Sequence, residues 1–115
     1  MENLNLQYII GVDYQIDSVL AILCASNESN HISIIKTYMY YSKRDGHKTD
    51  EDIYNDLLKL TNPYRDKNKI TLSIDPSAAS FIHYVKQHND FKLSIYKSLY
   101  NTKNIKTQGR KITND

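Results

Sequence analysis

The order of apolar and polar segments along the chain predicts an α/β fold, a mixed sheet with helices packed on it. Three short apolar segments joined by polar turns open the chain, which is typical of three antiparallel strands. Two segments with helical periodicity then alternate with two further strand-like segments, as in β-α-β units. The predicted order is therefore β-β-β-α-β-α-β.

The first three strands are predicted from short segments rich in β-branched and aromatic residues. Residues 6–12 form the first strand, and the nearly all-apolar residues 18–25 form a second, central strand. Residues 31–41 alternate loosely and predict a third strand with one wetter face. The only cysteine, Cys24, lies in the apolar second strand, so we expect a buried, inert thiol.

The first helix is predicted to begin at Thr49, after a charged loop over residues 42–48. Asp52 follows Thr49 by three residues and completes an imperfect capping box, and the acidic first turn suits the helix dipole. The apolar stripe of this helix comprises Ile53, Leu57, Leu58 and Leu60. The helix is predicted to end at Asn62, because Pro63 follows.

The second half of the chain predicts a fourth strand, a second helix and a fifth strand. Residues 70–74 alternate and are followed by Asp75. Pro76 stands where a first helical position would fall, and the apolar positions predict a helix running to about Gln87. Residues 91–96 predict the fifth strand. The sequence thus divides into a domain over residues 1–96 and a basic, polar tail over residues 97–115.

The composition excludes several classes of protein. Hydrophobic residues make up 40% and charged residues 24% of the 115 residues, with only 3 Gly and 2 Pro. A collagen-like, low-complexity or disordered chain is therefore excluded. There is no run of about 18 apolar residues and no pattern of a signal peptide, so we expect a soluble, unexported protein that does not bind membranes.

Two aspartates, Asp13 and Asp75, each follow a predicted strand. Strand ends lie at the edge of the sheet where α/β proteins bind ligands, so the two carboxylates converge if their strands are neighbours. Two such carboxylates repel each other unless a cation or a proton neutralises them, and hard oxygen ligands suit Mg²⁺ or Mn²⁺. Two structural alternatives stay open: Asp13 as a turn residue, and Asp75 as the N-cap of the second helix.

Other candidate sites carry weaker signals. The three glycines do not fall in a phosphate-binding loop or a dinucleotide-binding motif, and the four histidines lack the spacing of a metal site. Lys43, Arg44 and Lys48 form a basic cluster that fits either a solvated loop or a contact with a phosphate backbone. From Tyr96 onward there are five basic residues against one acid, and Lys103 and Lys106 in this tail are candidate nucleic-acid contacts.

Three segments resemble the nuclease domain of phage terminase large subunits. Residues 10–14 (IGVDY) look like its opening strand, and residues 36–42 (KTYMYYS) with residues 48–52 (KTDED) are similar to its third strand and helix start. Residues 73–82 (SIDPSAASFI) closely resemble the "VDPSAASFI" strand-to-helix junction of the family. The resemblance spans roughly residues 8–85.

The resemblance implies an RNase H-like fold and a metal-dependent endonuclease that cuts concatemeric double-stranded DNA during genome packaging. Asp13 and Asp75 would then be the first two catalytic, metal-binding carboxylates, with Mg²⁺ or Mn²⁺ as the cofactor. The implied partners are DNA and, among packaging proteins, the terminase motor, the small terminase subunit or the portal. The implied location is the cytoplasm of a bacterial host, with a phage- or prophage-encoded gene.

The sequence also departs from the family pattern. The ATPase motor that precedes the nuclease in the family has no counterpart in this sequence, and neither does the third acidic ligand. We therefore expect weak cleavage at most from this chain alone, because a two-ion site normally needs more ligands than two carboxylates. The alternative function is a binding module that docks on packaging proteins or DNA and regulates packaging without cutting.

Overall fold

The five strands form one sheet that carries the helices on one of its faces, as the α/β prediction requires. A computed structural model describes residues 6–65 and 69–96. The strands are β1 (Gln7–Tyr14), β2 (Ser18–Ser26), β3 (Ile32–Tyr41), β4 (Ile70–Ile74) and β5 (Phe91–Ile95). The helices are α1 (Ser42–Asp45), α2 (Asp50–Thr61) and α3 (Ala79–Lys86), and a 3-10 turn (Asn62–Tyr64) follows α2. The tail over residues 97–115 lies outside the described residues.

The strand order in the sheet is β3-β2-β1-β4-β5. β1 pairs antiparallel with β2, and β2 with β3, as the predicted meander requires. β4 lies between β1 and β5 and runs parallel to both. The carboxyl ends of β1, β4 and β5 therefore meet at one edge of the sheet.

The core lies between the sheet and helices α2 and α3. Alternate residues of the strands point to this face, and Ile10, Leu72 and Ile74 are fully buried there. Leu57 of α2 and Phe81 of α3 are also fully buried and cover these residues. The apolar stripes that predicted the two helices are thus the surfaces that pack on the sheet.

Helix α2 begins as predicted, whereas α1 was not predicted and α3 begins later than predicted. The Thr49 hydroxyl accepts a hydrogen bond from the Asp52 N–H at 3.1 Å, and the Asp52 carboxylate accepts one from the Thr49 N–H at 3.0 Å, so the capping box forms. The predicted loop after β3 instead contains the short helix α1. Helix α3 begins at Ala79, three residues after Pro76, so the prediction that Pro76 opens it is wrong. The alternative that Asp75 is its N-cap is excluded as well, because Ala78 holds that position.

The opposite face of the sheet is apolar and is not covered by the residues that the structure describes. Ile34 and Met39 on β3 are 66% and 61% exposed there, and an open groove of about 660 Å³ runs over this face. Cys24 lines the groove and is only partly buried, so the prediction of a buried thiol is wrong. No helix among the described residues is long and apolar enough to cross a membrane.

A β-bulge in β3 explains which side chains point to the uncovered face. The pairing of β2 with β3 shifts between Leu23 and Cys24, whose partners are Lys36 and Ile34. The extra residue, Ile35, reverses the alternation along β3. Ile34 therefore lies on the uncovered face, whereas Tyr40 is buried on the helix face. The even spacing of these residues in the sequence does not reveal this switch.

Candidate functional site

Asp13 and Asp75 lie side by side at the carboxyl edge of the sheet. Val12 of β1 and Ile74 of β4 are register partners in the parallel pair, and each aspartate is the next residue of its chain segment. Adjacent strands are about 4.8 Å apart, so the backbone positions that carry the two carboxylates are one strand spacing from each other. The crossover that places β4 beside β1 thus brings together two residues 62 positions apart in the sequence.

Each carboxylate is oriented by a neighbour in its own turn. The Gln15 side-chain amide donates to both carboxylate oxygens of Asp13, at 3.3 and 3.4 Å. The Ser77 N–H donates to Oδ1 of Asp75 at 2.8 Å. Hydrogen bonds from the N–H and the hydroxyl of Ser77 lower the pKa of Asp75 below its usual value, so this carboxylate is ionised at neutral pH.

Tyr14 anchors the end of β1 next to Asp13. Its ring stacks on Phe81 of α3 with the ring centroids 4.4 Å apart, and its hydroxyl donates to Asp50 in the first turn of α2. The strand that carries Asp13 is therefore tied to both helices. Burial of the phenol, followed by the hydrogen bond to Asp50, raises the pKa of Tyr14 well above its ordinary value.

The donor set of the site fits a hard divalent cation held partly by water. Two adjacent carboxylates are typical protein ligands of Mg²⁺, which keeps several water molecules when few side chains bind it. The structure shows no cluster of three or more histidine, cysteine, aspartate or glutamate side chains within residues 6–65 and 69–96 that could hold a metal. At this edge of the sheet, Asp13 and Asp75 are the described side chains that could hold such an ion.

The predicted basic cluster is largely neutralised by ion pairs. The guanidinium of Arg44 binds the Asp45 carboxylate, with Nη2 at 2.7 Å from Oδ2, and this contact lowers the pKa of Asp45 to about 2. The Lys48 ammonium lies 2.5 Å from the Asp56 carboxylate. Among the described residues, Lys43 forms no ion pair and is the member of the cluster whose charge is available for a phosphate. Lys103 and Lys106 lie outside the described residues.

Sequence reasoning assigned no role to four residues that border the carboxylates. Tyr14 and Gln15 directly follow Asp13, and Ser77 follows Asp75 by two residues, so proximity in the sequence was the signal for these three. Tyr96, directly after β5, gave no comparable signal because nothing local shows which strand will lie beside β4. Tyr96 lines the same groove as Asp13. Burial, followed by the charges of Asp75 and Asp13, raises the pKa of the Tyr96 phenol.

Comparison with solved structures finds large terminases. The large terminase of a thermophilic bacteriophage superposes with a TM-score of 0.70 and 28% sequence identity, over 80% of this chain and 23% of that one. The same terminase in complex with ATP-gamma-S gives the same score and identity, over 83% of this chain and 24% of that one. No family model matches the sequence, and neither does any curated protein.

The comparison concerns only a part of these relatives. The chain spans about a quarter of the length of the large terminase that it matches. The five-stranded mixed sheet with its helices matches a domain of that protein over most of the present chain. These findings support a relationship between this chain and a domain of phage large terminases.

Proposed function

We propose that this chain is a terminase-type nuclease domain that cuts double-stranded DNA with the help of Mg²⁺ or Mn²⁺. The observation that carries the proposal is the pair Asp13 and Asp75 on neighbouring parallel strands. The likeness to large terminases supports it. The absence of a G-x-x-x-x-G-K-[ST] loop from the sequence favours the nuclease over a nucleotide-hydrolysing domain.

The roles of the residues follow from the geometry of the site. Asp13 and Asp75 would hold the cation, and a bound Mg²⁺ or Mn²⁺ would supply an activated water molecule and stabilise the leaving oxygen of the phosphodiester. Gln15 and Ser77 hold the two carboxylates in place through their hydrogen bonds. Because the candidate site contains only two carboxylates among the described residues, we expect slow cleavage. DNA, and among packaging proteins the motor, the small subunit or the portal, are the proposed partners, in the cytoplasm of a bacterial host.

Nicking of supercoiled plasmid in Mn²⁺ tests this proposal. We expect the purified chain to nick the plasmid and the activity to disappear in EDTA and in the Asp13→Asn and Asp75→Asn variants. Asp17→Asn is the matched control, since it makes the same change in the exposed turn after β1. Cleavage that persists in Asp13→Asn, or a folded chain that does not nick, would contradict the proposed nuclease.

A second candidate function is a docking module without cleavage. The uncovered apolar face, with Ile34 and Met39 strongly exposed, favours it because a monomer rarely leaves such a face in water. A folded chain that does not nick DNA but binds a packaging protein, and still binds it after Asp13 and Asp75 are both replaced, would favour this candidate. Loss of binding in an Ile34→Glu variant would assign the contact to the apolar face.

A further inference from the structure

A third oxygen-bearing side chain lies beside the two carboxylates, in a row of neighbouring residues that crosses the parallel strands β1, β4 and β5. Ile74 of β4 is the register partner of Val12 on one side and of Ile95 on the other. The residues that follow these three are Asp13, Asp75 and Tyr96. Since β1, β4 and β5 are parallel neighbours, the row places one oxygen-bearing side chain at the carboxyl end of each strand.

The position of Tyr96 in this row is supported by its own contacts. The Tyr96 N–H donates to the Ile74 carbonyl oxygen at 3.2 Å, which extends the pairing of β4 and β5 by one residue. The side chain is 45% exposed, so it can reach a ligand, and it lines the same groove as Asp13.

The sheet surface beside this row is open. The neighbouring row on the same face consists of Gly11, Ser73 and Ser94, which are register partners of one another. Their side chains are small, and a Cβ at Gly11 would meet no atom within 4 Å. A phosphate backbone can therefore approach the carboxylates and Tyr96 across this part of the sheet without displacing a large side chain.

We propose that Tyr96 is a DNA contact of the candidate metal site, its phenol hydroxyl donating a hydrogen bond to a non-bridging phosphate oxygen of the strand held at Asp13 and Asp75. The inference rests on the proposed function and adds a substrate-binding residue to it. A phenol one strand spacing beyond Asp75 contacts the phosphate on the side away from Asp13. It does not bind the metal ion.

DNA binding measured without cleavage tests the role of Tyr96. The probe is a short fluorescein-labelled DNA duplex, titrated with the protein in Ca²⁺ and in EDTA and followed by fluorescence anisotropy. We expect Tyr96→Phe to raise the Kd in Ca²⁺ by about five- to tenfold, the loss of one hydrogen bond at a partly exposed position. Tyr8→Phe is the control, because it removes a hydroxyl at the opposite edge of the same sheet.

A second measurement separates a phosphate contact from a metal ligand. Mn²⁺ binding to the protein alone, followed by electron paramagnetic resonance, should be the same in Tyr96→Phe and the wild type and weaker in Asp13→Asn. The inference is overturned if Tyr96→Phe binds DNA as the wild type does, if it weakens Mn²⁺ binding, or if the wild type shows no Ca²⁺-dependent DNA binding.

The outcomes also distinguish this inference from the proposed function. If the wild type nicks plasmid and Tyr96→Phe binds DNA as the wild type does, the proposed nuclease function stands and only the role of Tyr96 is rejected. If the wild type does not nick plasmid, and the Ca²⁺-dependent DNA binding of the wild type is weakened in Tyr96→Phe, the nuclease function is rejected and the DNA contact of Tyr96 is supported.

Discussion

Replacement of Tyr14 by phenylalanine removes the one hydroxyl through which Tyr14, at the end of β1, donates a hydrogen bond to helix α2. The substitution keeps the ring stacked on Phe81 and removes the hydrogen bond to Asp50. A hydrogen bond to a charged group contributes about 1.5–3 kcal/mol when buried, and the partial exposure of Tyr14 reduces this to about 1 kcal/mol. We expect the variant to unfold about 3–5 °C below the wild type at pH 7.

The difference in unfolding free energy between the wild type and Tyr14→Phe should also depend on pH. An unfolded tyrosine ionises near pH 10, whereas the pKa of Tyr14 in the folded chain is raised, so the folded state keeps its proton. The stability contributed by this hydroxyl is complete below pH 10 and is lost as the pH rises above 10, because the unfolded state then releases a proton. The release of one proton on unfolding lowers the free energy of unfolding by at most about 1.4 kcal/mol per pH unit above pH 10. Solvent screening reduces this slope to about 0.5–1 kcal/mol per pH unit.

Urea denaturation at pH 7, 9 and 11 provides the assay. The difference in unfolding free energy between the wild type and Tyr14→Phe should be constant up to pH 9 and should shrink nearly to zero at pH 11. Tyr41→Phe is the control, since Tyr41 is exposed on β3 and its hydroxyl has no aspartate partner in the described part of the chain. An equal difference at pH 7 and pH 11, or no difference at pH 7, would refute the reasoning.

Two further predictions concern the start of helix α2 and the metal site. Thr49→Ala removes one half of the capping box and should lower the free energy of unfolding by about 1 kcal/mol in urea denaturation, whereas Thr49→Ser should keep most of it. In EDTA, Asp13→Asn should be at least as stable as the wild type, because it relieves the repulsion between Asp13 and Asp75. Mn²⁺ at 100 times its Kd should stabilise the wild type by about 2.7 kcal/mol in a thermal shift assay, and Asp13→Asn should lose this gain. A Mn²⁺ gain that survives in Asp13→Asn would place the ion elsewhere.

The sequence predicted the order of the elements and the start of α2 because both depend on local chemistry. Apolar and polar residues alternate over a few positions in a strand, and a capping box joins two residues three positions apart. The roles of Thr49 and Asp52 could therefore be predicted from the sequence. The start of α3 was misjudged for a similar local reason. A proline suits a first helical position, so Pro76 was expected to open the helix. The chain instead forms a turn in which the Ser77 N–H donates a hydrogen bond to the Asp75 carboxylate, and the helix begins after this turn.

The composition of the site depended on the tertiary structure. Asp13 and Asp75 were visible as residues that follow strands, but only the pairing of β1 with β4 makes them neighbours, and only the pairing of β4 with β5 adds Tyr96 to the row. The bulge at Ile35 likewise decides that Ile34 faces the uncovered side of the sheet. Strand neighbours and register are set by the packing of residues far apart in the sequence, and no local pattern encodes them.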